Sequence, residues 1–198
     1  MDLLARVFHE MSPIEAVAAL LGLVNVGLVA WRSIWNYPFG IVMVALYAWV
    51  FFAARLYSDA LLQIFFLVVQ LYGWWYWARG KADTGEIRVE RMPPASQIGW
   101  VAGIALATAG WGWLMHAYTN ASFPWWDASV AMMSVAAQIL MSRRYLENWL
   151  LWIAVDAVAI PLYAAKALWI TAGLYGVFLA ISAFGLYEWS RVYRARLA

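Results

Sequence analysis

The feature that most constrains this chain is a series of long apolar runs that do not alternate, separated by short polar stretches. A helix needs about 20 apolar residues to cross a ~30 Å hydrocarbon core, whereas a barrel strand needs about 10 and alternates. The runs here therefore predict helices: seven spans at roughly 13–31, 36–54, 58–78, 97–116, 125–142, 147–165 and 168–190. Pro13, Pro38 and Pro124 fall near span starts, where a missing N–H costs little. The composition agrees: 66% of residues are hydrophobic and 12% charged, against roughly 25% charged in soluble domains. The expected fold class is an all-α integral membrane protein forming a single transmembrane domain. Residues 1–12, "MDLLARVFHEMS", lack the long apolar core of a signal peptide. Leu3, Leu4, Val7, Phe8 and Met11 recur at helical spacing, which fits an interfacial helix or a frayed end. The polar stretch 79–97 reads as a solvent loop.

Lysines and arginines set the orientation. With seven spans, one side carries Arg6, Arg55 and Lys166, and the other carries ten basic residues, from Arg32 and Arg79 to Arg194 and Arg196. The positive-inside rule then puts the N-terminus outside and the C-terminus in the cytoplasm.

Shifting the chain by 112 residues lays 32–77 over 144–189 without a gap. Arg32 meets Arg144, Asn36 meets Asn148, Gly73 meets Gly185 and Trp77 meets Trp189. The boundaries match through two loops, which points to duplication: repeat 1 at about 13–78, a linker loop and helix 4 at about 79–116, and repeat 2 at about 125–190. Two three-helix units joined directly would be inverted; the fourth helix restores the direction and makes the repeats parallel, a transporter arrangement with substrate between the repeats near the midplane. Gly99 and Gly103 in helix 4 have small-xxx-small spacing, suited to close helix approach or to an ordinary linker helix.

One ionisable residue sits near the centre of a span: Asp156, in "ENWLLWIAVDAVAIPLY". A charge there costs about 2.5–3.5 kcal/mol on insertion scales, and its repeat partner is Val44, so duplication does not require it. At 100° per residue Trp149, Trp152, Asp156 and Tyr163 share one face. Indole faces next to a carboxylate suit a flat cationic ring; a packed aromatic core with a neutral, hydrogen-bonded Asp is the alternative. Pro161 removes the bond to the carbonyl of Ala157 and is expected to kink the helix. Most of the 15 tryptophans, Trp31, Trp35, Trp74, Trp75, Trp77, Trp125, Trp126 and Trp189 among them, read as interfacial. Asp59, Gln63 and Gln70 form a polar stripe on helix 3, and the shift places them on Thr171, Tyr175 and Ser182 of helix 7; the matched stripes predict a lined cavity. Asn25 and Gln138 add deep amides, whether ligands or interhelical glue. Asn36 and Asn148 fit N-caps or ligand contacts. Glu15 and Asp127, at span starts, complement helix dipoles.

Absences narrow the chemistry. With no cysteine and two histidines, neither a metal site nor a cofactor is expected. A net charge of +2 gives no case for nucleic acid. No Lys or Arg lies deep in a span, so a phosphorylated substrate meets no partner. No P-loop is present. A membrane enzyme would need more than one buried carboxylate, and a sensor would need more output segment than "SRVYRARLA".

"NYPFG", "DALLQ", "YGWWYW", "LENWLLW" with its following aspartate, and "YEW" resemble the PnuC family of vitamin transporters, over helices 1–3 and 5–7. The resemblance implies a 3+1+3 arrangement related to the SWEET sugar transporters, homotrimers, and uptake of nicotinamide riboside by facilitated diffusion. It implies that Trp149 and Trp152 hold the nicotinamide ring and that Asp156, Gln63 and Gln138 bind ring substituent and ribose. Tyr163, Tyr175, Asn36 and Gln70 complete the expected substrate-binding set. Relatives of this kind carry thiamine or riboflavin; thiamine, an aromatic cation, is the second choice, and neutral riboflavin fits Asp156 less well.

Overall fold

The computed structural model describes residues 13–53, 57–119, 122–166 and 169–197. Among them are seven α-helices: α1 (Pro13–Ala30), α2 (Asn36–Ala53), α3 (Tyr57–Thr84), α4 (Pro94–Tyr118), α5 (Pro124–Ser142), α6 (Asn148–Ala165) and α7 (Trp169–Leu197). Five, α2, α3, α4, α6 and α7, are long and apolar enough to cross a membrane, and α1 contributes a shorter apolar stretch, Ala16–Ala30. α5 is more polar, opening with Pro-Trp-Trp-Asp and carrying Ser129, Ser134 and Gln138. The expected interfacial helix at 1–12 lies outside the described residues, as do the side chains of Glu15 and Asp59.

The chain divides into two compact units, Met1–Ile87 and Arg88–Ala198. In the first, α2 packs against α1 and α3; in the second, the helices pack in sequence, α4 on α5, α5 on α6 and α6 on α7. α4 lies within the second unit.

Two turns show how local sequence fixes each unit. α1 ends with Ser33 N donating to Leu28 O at 2.8 Å and Arg32 N to Val29 O at 2.9 Å. That pair of bonds is a Schellman motif, which needs a left-handed residue after the helix; Arg32 supplies it with φ 55°. α5 ends the same way, with Tyr145 N to Leu140 O at 3.0 Å, Arg144 N to Met141 O at 2.9 Å and Arg144 at φ 63°. Glycine is the usual residue there. Arg32→Gly is therefore expected to stabilise the protein by up to about 1 kcal/mol, read as a higher thermal midpoint in detergent; a lower midpoint would mean that the arginine side chain holds the turn.

After each turn an asparagine starts the next helix. Asn36 Nδ2 donates to Ser33 O at 2.7 Å and Asn148 Nδ2 to Tyr145 O at 2.6 Å. Both are fully buried. They donate back into the turn instead of accepting from the first helical N–H groups, so the N-cap expectation is corrected. A residue later, Tyr37 and Trp149 each meet a tryptophan edge to face: Tyr37–Trp77 at 5.3 Å and Trp149–Trp189 at 5.7 Å. Trp77 and Trp189 are 0% exposed, so these two are core residues, not interfacial ones. Trp31, Trp35 and Trp75 are more than half exposed, as interfacial residues should be.

The stretch 79–97 is not a free loop. α3 continues to Thr84, and Ile87, Val89 and Met92 are buried. Glu90 forms a parallel bridge with Tyr145, and its carboxylate accepts from Arg144 Nη2 at 3.1 Å. Glu147 accepts from Met92 N at 3.1 Å and from Gln97 Nε2 at 3.2 Å. Polar residues that read as solvated instead satisfy the turn between α5 and α6. At the opposite end of that hairpin, Lys166 Nζ lies 2.6 Å from Asp127 Oδ1, giving Asp127 a partner besides the helix dipole.

Candidate functional site

In the second unit, the α6 turn places Trp149, Trp152 and Asp156 in succession. Asp156 lies eight residues into α6, about 12 Å along its axis, and is 3% exposed. Its carboxylate accepts from Ser182 Oγ of α7 at 3.1 Å. Ser182 belongs to the polar stripe read from the sequence but was not among the expected site residues; its signal is its position 112 residues after Gln70.

Around Asp156 the helices offer aromatic surface. Val130, Val155, Ala159 and Leu162 form a buried cluster, against which Trp126, Trp152, Tyr163 and Tyr175 pack half-buried. Tyr163 and Tyr175 lie 5.1 Å apart with planes tilted by 33°. Pro161 sits inside α6, where its ring pushes on the carbonyls of the preceding turn. Trp126 Nε1 donates to one of these, Val158 O, at 3.1 Å.

Trp149 behaves differently from Trp152. It is 1% exposed, and Gly185 of α7 lies flat against its ring: a Cβ there would stand 2.5 Å from Trp149 Cη2 and Cζ2. The indole N–H has no hydrogen-bond partner among the described residues. The α6 face therefore divides into a wedge, Trp149, and a half-open platform, Trp152, beside the carboxylate. Gln138 on α5 is 7% exposed, and its Nε2 lacks a partner among the described residues. It stands four residues before the end of α5, as Trp152 stands four residues after the start of α6, so the two share a depth of about 6 Å from that end.

In the first unit the expected residues gather in part. Gln70 is 3% exposed with Oε1 unpartnered among the described residues, Asn36 is fully buried, and Asn25 Nδ2 donates to Asn36 O at 2.6 Å. Gly40 makes room for them: a Cβ there would overlap Gln70 Oε1 and come within 2.6 Å of Asn25 Nδ2. Gln63, seven residues nearer the start of α3, is half-buried. Gly40 is the repeat partner of Trp152, so amides occupy in one unit the register that an indole occupies in the other. Gly40→Ala meets the ends of flexible side chains, so the amides can turn aside. The expected cost is about 1 kcal/mol, the low end of overpacking, measured by thermal unfolding; a loss several times larger would show the amide cluster to be rigid.

Residues 12–191 match the family model described as nicotinamide mononucleotide transporter. The chain is 30% identical over 213 residues to the nicotinamide riboside transporter PnuC of Escherichia coli (strain K12), covering 95% of this chain and 89% of that one. It is also 30% identical over 201 residues to the PnuC of Neisseria mucosa, covering 94% and 75%. The riboflavin/roseoflavin transporter RibM of Streptomyces davaonensis is 30% identical over 178 residues, with 88% and 83% covered. A crystal structure of the vitamin B3 transporter PnuC superposes with a TM-score of 0.77 and 28% identity, over 97% of this chain and 86% of that one.

Proposed function

The chain belongs to the nicotinamide mononucleotide transporter family, and on that premise we propose that it takes up nicotinamide riboside by facilitated diffusion. It is a multi-pass membrane transporter, not an enzyme. The observation that carries the substrate reading is the α6 site: a buried carboxylate, Asp156, held by Ser182, with half-buried Trp152 one turn before it and the half-buried Tyr163–Tyr175 pair about two turns beyond it. An aromatic face and a countercharge both favour a flat cationic ring. Nicotinamide riboside is such a ring, and its hydroxyl and amide groups suit the buried amide of Gln138 in the same unit. Relatives named for nicotinamide riboside support the choice.

The family description names the mononucleotide, but residues 13–30, 36–53, 57–78, 94–118, 124–142, 148–165 and 169–190 contain no Lys or Arg. A phosphate crossing among them would find no guanidinium or ammonium, which favours the unphosphorylated riboside. The likeness to RibM favours a second reading, riboflavin, which is neutral and makes no use of Asp156.

The matched Schellman turns, asparagine bonds and edge-to-face pairs support a duplicated 3+1+3 chain. The charge asymmetry of the loops supports an outside N-terminus and a cytoplasmic C-terminus in a bacterial inner membrane. A homotrimer completes the proposal on the strength of the resemblance alone.

Uptake of labelled nicotinamide riboside, thiamine and riboflavin into vesicles holding only this protein tests the reading. The riboside should equilibrate with no proton gradient and no added nucleotide. Transport of riboflavin or thiamine without the riboside would replace the substrate, and a strict need for a gradient would replace the mechanism.

A further inference from the structure

α7 runs beyond the length a membrane needs. Its 29 residues span about 43 Å, whereas a ~30 Å core takes about 20 residues. The last turns carry a groove of about 260 Å³ lined by Tyr187, Ser190, Arg191 and Arg194. Each of these side chains is a hydrogen-bond donor, and two hold permanent positive charge. Their spacing of three, one and three residues puts them on adjacent turns of the helix. Tyr187 is 63% exposed. Arg191 meets Glu188 at 2.8 Å, which leaves the groove a net positive charge. Arg194 is exposed and has no hydrogen bond or ion pair among the described residues. Arg196, by contrast, turns to Val89 O at 3.5 Å.

The first unit lacks this donor set. The positions 112 residues earlier are Trp75, Ala78, Arg79 and Ala82, and Arg79 lies over the Trp75 ring at 4.9 Å. The groove there is lined by Leu71, Trp74, Trp75 and Ala78, which offer an apolar wall. The donor-lined groove is therefore a feature of the second unit and not a by-product of repeated sequence.

We propose that the Tyr187–Ser190–Arg191–Arg194 groove binds the phosphate of an anionic phospholipid headgroup. Two guanidinium groups and two hydroxyls match the oxygens of a phosphodiester. Tyrosine belongs at headgroup depth, and basic residues just beyond a transmembrane span draw anionic lipid. The inference does not depend on which substrate is carried.

The test uses the full chain in nanodiscs of phosphatidylcholine, with and without phosphatidylglycerol, read by thermal midpoint and by lipid retained in native mass spectrometry. Wild type should retain phosphatidylglycerol over phosphatidylcholine and melt higher with it. Retention should fall roughly fivefold for each arginine replaced in Arg194→Gln and in the Arg191→Gln/Arg194→Gln double variant, while Arg79→Gln keeps it. Melting in phosphatidylcholine alone checks folding. Should the double variant fail to fold, Arg194→Gln, which loses no protein partner, carries the test. Equal retention of the two lipids by wild type, or undiminished retention by Arg194→Gln, overturns the proposal. Inorganic phosphate or glycerol phosphate producing the whole stabilisation in detergent, with phosphatidylglycerol adding nothing, would make the groove a site for soluble anions and overturn the lipid assignment.

Discussion

Gly185→Ala is expected to destabilise the protein by about 3 kcal/mol, the upper part of the range for overpacked cores, while Gly176→Ala on the same helix is neutral or stabilising. The contrast is geometric. A Cβ at Gly185 would stand 2.5 Å from two atoms of the Trp149 ring, which is 1% exposed and braced edge-on by Trp189. An indole in that position cannot turn aside as a glutamine can, so the helices must part. At Gly176 nothing lies within 4 Å, and alanine gains up to about 1 kcal/mol of helix propensity. Thermal unfolding of both variants decides the matter. Trp149→Leu in the Gly185→Ala background should recover much of the loss, because the two residues act as one contact. Equal midpoints for the two alanine variants would remove Trp149 as the wedge between α6 and α7.

Asp156→Leu should leave stability within about 1 kcal/mol of wild type and abolish uptake. Removing the carboxylate relieves the cost of a charge near the centre of a span, and this offsets the lost hydrogen bond and the repacking around a bulkier side chain at a buried position. The partner left behind, the Ser182 hydroxyl, bonded to Asp156 at 3.1 Å, can turn to a carbonyl of its own helix. A structural carboxylate would give the opposite pattern: a large loss of midpoint with uptake reduced only in proportion to folded protein. Asp156→Asn keeps an acceptor for Ser182 but loses the countercharge, so its apparent affinity for a cationic vitamin should fall roughly ten- to a hundredfold, the worth of a charged hydrogen bond. Unchanged affinity in this variant would exclude Asp156 from the site.

Much of this was legible in the chain. Helix number and class follow from run length alone, because the bilayer sets the length and water is absent to satisfy any other backbone. Asp156 was visible because a carboxylate inside a span is costly. The limits are equally physical. Trp149 and Trp152 share a face by helical angle, yet one is a wedge against Gly185 and the other borders a half-open cluster; angle fixes direction, not what stands opposite. Trp77 and Trp189 read as interfacial by residue type, but an aromatic partner in the neighbouring helix buries each. Residues 87–92 read as loop because their partners, Arg144 and Glu147, lie more than 50 positions away, beyond any local pattern. The left-handed Arg32 and Arg144 break the rule that glycine ends such helices, so composition gives no sign of the Schellman turns.

The central claim, an unphosphorylated cationic vitamin crossing at an aromatic and carboxylate site, is tested most directly by parallel uptake of nicotinamide riboside and nicotinamide mononucleotide into vesicles holding only this protein. The account predicts that the riboside equilibrates and the mononucleotide does not enter or compete, since no Lys or Arg lies within the spans to meet its phosphate. Entry of the mononucleotide at a rate comparable with the riboside would contradict it.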